Sequence, residues 1–374
     1  MNKNKAYMKN ILLISNSSLK SPTRGTPLRV LSFIRQINKE HNILICLADA
    51  PDDLRNIFIS YPKMGKVRKL LFFARLIRER KIDIVMIATE VEIKLPVMLK
   101  LITGVKIAID IHGLLPEELF YKKTIGKIKK TFYDGVTKFF LTFYDVVFVC
   151  ADKLRDYYNR ANSNIEIIYG GVNLKEFDHI IKKEERSFFT VGYMGNSRPY
   201  QGLDYLLKAL SSIKKKRLFS FRLNLILSDK SKEDILSSIK EFGISTEELL
   251  LSLNVEHDKV NQIIQNSDVL VIPRPSIPMT EYAFPSKFPE YLATGIPIII
   301  TNVGPVRNSS KTQKLCLVIQ PDNIADGIEE KLRAVYSMSD TEKALIFEKS
   351  RAVAREEFDW DILGKKLNQI LSRL

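Results

Sequence analysis

The run from Asp268 to Thr301 allows few folds. It opens on four apolar residues, Val269-Leu-Val-Ile272, crosses a proline-punctuated loop, and closes on a second apolar run, Ile298-Ile-Ile-Thr301. Short runs that are apolar throughout suit strands covered on both faces, as in a parallel sheet. Between them a helix is predicted from Ser286, an N-cap residue type that follows Pro285, to Gly295, a residue type that ends helices. Pro297 stands just beyond, where a helix cannot continue. A strand–loop–helix–strand unit puts a helix N-terminus at the carboxyl end of a parallel sheet, and its N–H groups there suit a phosphate or another anion. Glu290 falls about one turn into the helix, where its carboxylate can accept hydrogen bonds from ribose hydroxyls. Taken alone, Glu290 fits a solvated helix residue better than a ribose ligand.

The same alternation runs through the rest of the chain. Asn10–Ser15, Asn42–Ala48, Ile82–Ala88, Lys106–Asp110, Asp145–Cys150 and Ile165–Tyr169 read as strands of a first domain, with a helix over Pro27–Asn38. Phe188–Met194, Phe221–Ser228 and Leu315–Ile319 join the opening run in a second domain, with a helix over Ile324–Tyr336. At 374 residues the chain has room for two cores. The linker is read at residues 179–186. Gly195-Asn196-Ser197-Arg198-Pro199-Tyr200-Gln201-Gly202 is a glycine-flanked loop between a strand and a helix. With a cation in it, such a loop makes a diphosphate cradle, and the arginine fork bonds phosphate oxygens in pairs. His112-Gly113 follows a strand's carboxyl end, where a side chain faces a cleft; a structural histidine bonded to backbone is the plainer reading. The spaced triple glycine of dinucleotide enzymes is absent, which counts against a nicotinamide cofactor.

Pro285-Ser286-Lys287…Glu290-Tyr291…Ala293…Gly295…Pro297 resembles, position for position, a P-S-K-x-x-E-Y-x-A-x-G-x-P run carried by one branch of the retaining GT-B glycosyltransferases of family 4 (group 1). The resemblance implies an α/β GT-B fold, two Rossmann-like domains facing each other across a cleft. Residues 1–182 would form the acceptor-side domain, 183–356 the nucleotide-sugar domain, and 357–374 a closing helix that returns to the first. It implies that Glu290 holds the ribose of a nucleotide-sugar donor, with Ser286, Lys287 and the helix N-terminus near the diphosphate. Gly25 stands in a loop where the family has a glycine for close approach to the phosphates, and His112 where the family has a histidine near the donor sugar. In the Gly195–Asn196 loop the family commonly has an arginine and a lysine. Here Gln201 takes the lysine position, leaving Arg198 as the main cation and Lys287 as a second. The family's two glutamates are separated by seven residues, yet eight positions before Glu290 stands Tyr282. Glu281 is one residue early: it takes the first carboxylate's catalytic role if the loop shifts, or the role is lost.

Charge is unevenly spread. Residues 1–183 hold 32 Lys and Arg against 18 Asp and Glu, and the remainder 26 against 25, within a net charge of +15. Two segments, Pro62–Arg80 and Tyr121–Tyr144, combine lysine and arginine with apolar or aromatic residues, which suits an anionic membrane surface at the first domain. The plainer alternative puts the aromatics in the core and the lysines in solvent. Cys46, Cys150 and Cys316 are widely spaced, with no disulfide or metal pattern, and imply a reducing compartment. The apolar run Ile11–Ile14 is too short for a signal peptide, and no uncharged stretch reaches membrane-spanning length. The expectation is a cytoplasmic enzyme, peripheral on the inner membrane face. It would move a sugar from a UDP- or GDP-linked donor to a hydroxyl of a glycan or lipid-linked acceptor with retention, in cell-surface polysaccharide or glycoconjugate synthesis. No cofactor or metal is expected, and no nucleic-acid partner, since no groove-reading or RNA-binding signature is present. The rival reading is a non-catalytic binder of anionic polymers, nucleic acid included, on the same fold; the basic first half is its support.

Overall fold

The computed structural model describes residues 8–16, 18–19, 25–177, 188–228 and 231–374, apart from the side chains of His257, Asp258 and Asn308. The segment read as the linker, 179–186, lies outside the described residues. The chain forms two compact units: Met1–Gly170 with Tyr282–Phe284 and Trp360–Leu374, and Gly171–Glu281 with Pro285–Asp359.

The first unit is built on seven parallel strands: β1 (Asn10–Ile14), β2 (Asn42–Leu47), β3 (Phe58–Ser60), β4 (Ile84–Ile87), β5 (Lys106–Ile111), β6 (Val146–Val149) and β7 (Ile165–Ile167). Their order is β3-β2-β1-β4-β5-β6-β7. Successive side chains point to opposite faces of a strand. Ile11 and Leu13 of β1 therefore pack with α1 (Gly25–Ile37) and the closing helix Trp360–Ser372, whereas Leu12 and Ile14 pack with α2 (Lys66–Glu79) and α3 (Lys94–Thr103). Helices on both faces explain why these strands read as unbroken apolar runs. Three further helices are α4 (Leu115–Tyr121), α5 (Lys127–Leu141) and α6 (Asp152–Tyr158).

Two expectations are corrected here. Gly25 is the first residue of α1 and not part of a loop ahead of it. The helix accommodates Pro27 because first-turn N–H groups have no partner one turn back. The stretch 121–144 is not helical throughout: α4 ends at Tyr121, α5 spans only Lys127–Leu141, and the aromatics divide. Tyr144 is buried and its hydroxyl donates to the Ile93 carbonyl at 2.8 Å. Ile128, Phe132 and Phe139 are 87%, 65% and 58% exposed, on one stripe of α5.

The second unit repeats the plan with β8 (Phe189–Gly195), β9 (Phe221–Leu227), β10 (Leu249–Leu253), β11 (Val269–Ile272), β12 (Ile298–Thr301) and β13 (Leu317–Ile319), in the order β10-β9-β8-β11-β12-β13. All these pairs are parallel too. Its helices in chain order are α7 (Leu203–Lys216), α8 (Lys232–Glu241), α9 (His257–Ile264), α10 (Pro278–Tyr282), α11 (Lys287–Thr294), α12 (Pro305–Asn308), α13 (Ser310–Leu315), α14 (Ile324–Tyr336) and α15 (Asp340–Val353). Apolar residues of α7, α8 and α14 cover one sheet face. In each unit the strand order reverses beside the first strand, between β1 and β4 and between β8 and β11. A crevice opens at the carboxyl ends of the strands at such a point, and ligands of open α/β sheets bind there.

Candidate functional site

In the second unit the loops after β8 and β11 flank that crevice. Gly195 closes β8 with φ 147°, and a Cβ there would stand 2.9 Å from Nζ of Lys287. Gly202, at φ +77°, ends the loop; a Cβ there would fall 1.8 Å from the Pro273 carbonyl oxygen. Only glycine lets the two loops close together at this point. Between the two glycines, Asn196 accepts the Arg198 N–H at its side-chain oxygen (3.1 Å) and the Tyr193 hydroxyl at its carbonyl (2.8 Å). Arg198 is exposed. Gln201 lies in a tight turn over Pro199–Gln201, and its Oε1 is buried without a hydrogen bond. Arg274 in the loop after β11 is buried.

The helix α11 starts and stops where its residue types predict, with Gly295 left-handed at φ 72°. Ser286 occupies the N-cap position but is exposed and makes no side-chain capping bond. Lys287 turns inward. It is 8% exposed, its Nζ has no hydrogen-bond partner, and that nitrogen lies 4.5 Å from the centre of the Tyr193 ring. Burial lowers its pKa to about 7, the Arg274 charge adds to the effect, and Glu290 opposes it. Glu290 is half-buried in the first turn of α11. The Tyr291 hydroxyl accepts the Met194 N–H at 2.9 Å and so pins α11 to β8. Loop, strand and helix thus bring Gly195, Lys287 and Arg274 to one place.

Glu281, in α10, is held differently. Its carboxylate accepts from the Ser276 hydroxyl (2.7 Å), the Gly304 N–H (3.2 Å) and two Arg307 nitrogens (2.9 and 3.3 Å). Gly304 immediately precedes α12, so an anion there also meets a helix N-terminus. The geometry makes Glu281 an anchor for the chain entering α12.

In the first unit, His112 follows β5 and its Nε2 lies 2.6 Å from the Asp110 carboxylate, so a carboxylate and not backbone orients the ring. Asp110 is 1% exposed and receives Arg29 Nε at 2.8 Å and a second guanidinium nitrogen at 2.9 Å. The third nitrogen donates to the Tyr169 carbonyl at 2.8 Å, and the guanidinium lies 4.6 Å from the Phe33 ring centre. Burial alone would raise the Asp110 pKa, but Arg29 and His112 outweigh it and hold the carboxyl far below its ordinary range. Glu90, just after β4, is pushed up to about 8 by burial, reinforced by the Glu118 and Asp110 charges. Glu117 and Glu118 begin α4, as acids suit a helix start, and pair with Lys130 and Lys122. Gly25 stands one turn before Arg29 on α1, half-buried.

Sequence reasoning passed over Arg274, Arg29, Asp110 and Glu90. For Arg274 a signal was present: it is the lone charge between Asp268 and Glu281. The Arg29–Asp110 pair spans 81 positions and leaves no local trace.

Two family models match the chain: Glycosyltransferase Family 4 over residues 25–176 and Glycosyl transferases group 1 over residues 175–351. An uncharacterized glycosyltransferase of Methanocaldococcus jannaschii is 23% identical over 224 residues, 56% of this chain; the match spans about half (54%) of that relative's length. Among solved structures, a glycosyltransferase from Rickettsia africae aligns with TM-score 0.75 at 16% identity, covering 97% of both chains. Sucrose-phosphate synthase from Thermosynechococcus elongatus gives 0.74 at 15% identity over 98% of each chain. HepE of Anabaena in complex with UDP-glucose gives 0.72 at 14% identity, over 98% of this chain and all of that one. At such identities the likeness establishes the fold, which is GT-B. With one family model on each half, the chain belongs to the group 1, family 4 glycosyltransferases.

Proposed function

We propose that this glycosyltransferase takes its sugar from a nucleoside diphosphate donor and passes it with retention to a hydroxyl of a glycan or lipid-linked acceptor. The observation that carries the reading is the cationic crevice of the second unit, where Lys287 is buried without a hydrogen-bond partner beside the glycine that closes β8. A diphosphate supplies the missing charge. Lys287, Arg274 and Arg198 neutralise it as it departs, so we assign the leaving-group stabilisation to these side chains without a divalent metal or other cofactor. Glu290 is assigned to the ribose hydroxyls, and Asn196, Gln201 and Ser286 to the donor's remaining polar groups. His112, oriented by Asp110, is assigned to hydroxyls of the transferred sugar. In the reaction the sugar–phosphate bond breaks, the acceptor oxygen bonds the sugar carbon on the same face, and the acceptor proton leaves with the diphosphate. HepE is a relative in fold seen with UDP-glucose, which makes a uridine donor the first to try.

Isothermal titration of UDP, GDP, CDP and ADP tests this, comparing the wild type with Glu290→Ala. Micromolar binding of one nucleotide, weakened at least tenfold in the variant, is the expected result and names the base. Binding of none would refute the reading.

We further propose that the first unit rests on an anionic membrane surface in cell-surface polysaccharide or glycoconjugate synthesis. The support is an apolar stripe on the outside of α5 (Ile128, Phe132, Phe139) beside Lys127, Lys129 and Lys130. Val67 and Leu71 of α2, 71% and 62% exposed, likewise stand among Lys66, Arg68 and Arg75. Apolar side chains facing outward among cations match the interface of an anionic bilayer. No helix among the described residues is long and apolar enough to cross a membrane.

A further inference from the structure

We infer that donor binding draws a proton onto Lys287, whose buried amine is partly neutral in the empty crevice and becomes fully charged when the donor's diphosphate enters. This rests on the donor reading above and adds a proton to its stoichiometry. The family resemblance puts a lysine in the loop after β8; here that position is Gln201, a neutral amide, and the lysine comes instead from the first turn of α11.

The two placements differ physically. A lysine in an exposed loop stays protonated far above neutrality. Lys287 is 8% exposed, and its Nζ meets no hydrogen-bond acceptor. Among the described residues, the charged and titratable groups that act on it come from three elements. Arg274, from the loop after β11, repels an ammonium; Glu290, on α11 itself, attracts it; Tyr193 of β8 presents its ring face 4.5 Å away. A buried ammonium without a bonded anion is costly, and burial is the larger influence here. With a pKa of about 7, close to half of the empty protein carries a neutral amine at pH 7 and about nine-tenths at pH 8. An incoming diphosphate reverses the balance, because it supplies the anion that Glu290 supplies only in part. Gly195 permits the inward position: a Cβ there would stand 2.9 Å from Nζ, so only the bare backbone lets the amine sit this close to the end of β8.

The experiment is isothermal titration with UDP-glucose and GDP-mannose in buffers of different ionisation enthalpy. Both are diphosphate diesters, without the terminal phosphate whose second proton titrates near 6 in a monoester. The expected result for whichever diester binds is uptake of about half a proton at pH 7, rising to about 0.9 at pH 8. Its affinity should fall up to tenfold per pH unit above 8. Lys287→Met should abolish the uptake and weaken binding about 10- to 100-fold, while Lys287→Arg, charged throughout, should abolish the uptake and keep binding. If Lys287→Met does not fold, the wild-type proton count and the arginine variant still decide the question. Binding with no proton uptake would overturn this inference and leave the donor reading standing. Binding of neither diester at millimolar concentration would overturn the donor reading and this inference with it.

Discussion

Replacing Asp110 with asparagine should unfold the first unit at a markedly lower temperature. Asp110 and Arg29 are 1% and 7% exposed, joined by two hydrogen bonds of 2.8 and 2.9 Å, and His112 leans on the same carboxylate. Asparagine keeps the shape but removes the charge and turns one acceptor into a donor facing the guanidinium. Arg29 is then a buried cation whose acceptors, the Tyr169 carbonyl and one amide oxygen, carry no charge. Breaking a buried pair from one side costs about 3–5 kcal/mol. In a domain of 150–250 residues each kcal/mol moves the melting point by about 2–4 °C, so the drop should lie between about 6 and 20 °C.

The chain carries its own reporter. Trp360 is the only tryptophan, belongs to the first unit, and its ring lies 5.9 Å from Phe33, the ring under Arg29. Its fluorescence follows this unit's unfolding even if the second unit melts separately, which matters because one melting point does not describe two domains. Arg29→Met combined with Asp110→Leu should recover most of the loss, since an apolar pair removes both charges at once. The pH dependence has a definite sign. A carboxyl whose folded pKa is depressed contributes fully above its unfolded value and loses that contribution as pH falls toward the folded one. Wild-type melting should therefore drop steeply below about pH 4, while the asparagine variant lacks this component. A loss under 2 °C for Asp110→Asn, or a double variant no better than the single ones, would refute the reasoning.

The remaining predictions concern one glycine and one surface. Gly202→Ala puts a Cβ 1.8 Å from the Pro273 carbonyl oxygen at φ +77°, so backbone must move, at a cost above about 2 kcal/mol. Nucleotide affinity should fall at least tenfold while Trp360 melts as in the wild type; wild-type nucleotide binding would contradict the account of the loop. Sedimentation with vesicles should show binding to phosphatidylglycerol and not to phosphatidylcholine, reduced at least tenfold by Phe132→Ser with Phe139→Ser. Equal binding by wild type and double variant would show that the α5 stripe does not touch lipid.

Much of the fold was legible because both sheets are covered on both faces. Val269–Ile272 and Ile298–Thr301 are buried at every position, and that uniform burial is what an unbroken apolar run records. The helix between them was legible from Gly295 and Pro297. Short or edge elements were not. The strand β3 is three residues long, and β10, an edge strand, reads Leu-Leu-Leu-Ser-Leu without a fully buried residue, so its apolar run does not record cover on both faces. The site was legible by position and less so by direction. Ser286 occupies the cap position without making the capping bond, and nothing local says that Lys287 turns inward while Ser286 faces solvent. For Glu281 the sequence leaves open a displaced catalytic carboxylate or a lost role, and its partners Gly304 and Arg307, 23 and 26 positions away, are set by tertiary structure.

Lys287 also bears on the stability of the second unit. A lysine whose folded pKa is lowered to about 7 binds fewer protons in the folded state than in the unfolded state from there up to about 10.4. With the crevice empty, stability should therefore rise with pH across that window; below it, the unit carries a buried ammonium without a bonded anion. A methionine at 287 would fill similar space without that penalty, so packing alone gives no reason for a lysine there. An anionic ligand does, because binding to the folded state alone offsets the penalty by mass action. Gln201 bears on the same point from the other side of the loop. A charged lysine at that position would hold positive potential in the crevice at every pH the protein meets. The amide leaves that potential to Arg198 and Arg274 until Lys287 is protonated, which makes the strength of donor binding depend on pH through one side chain.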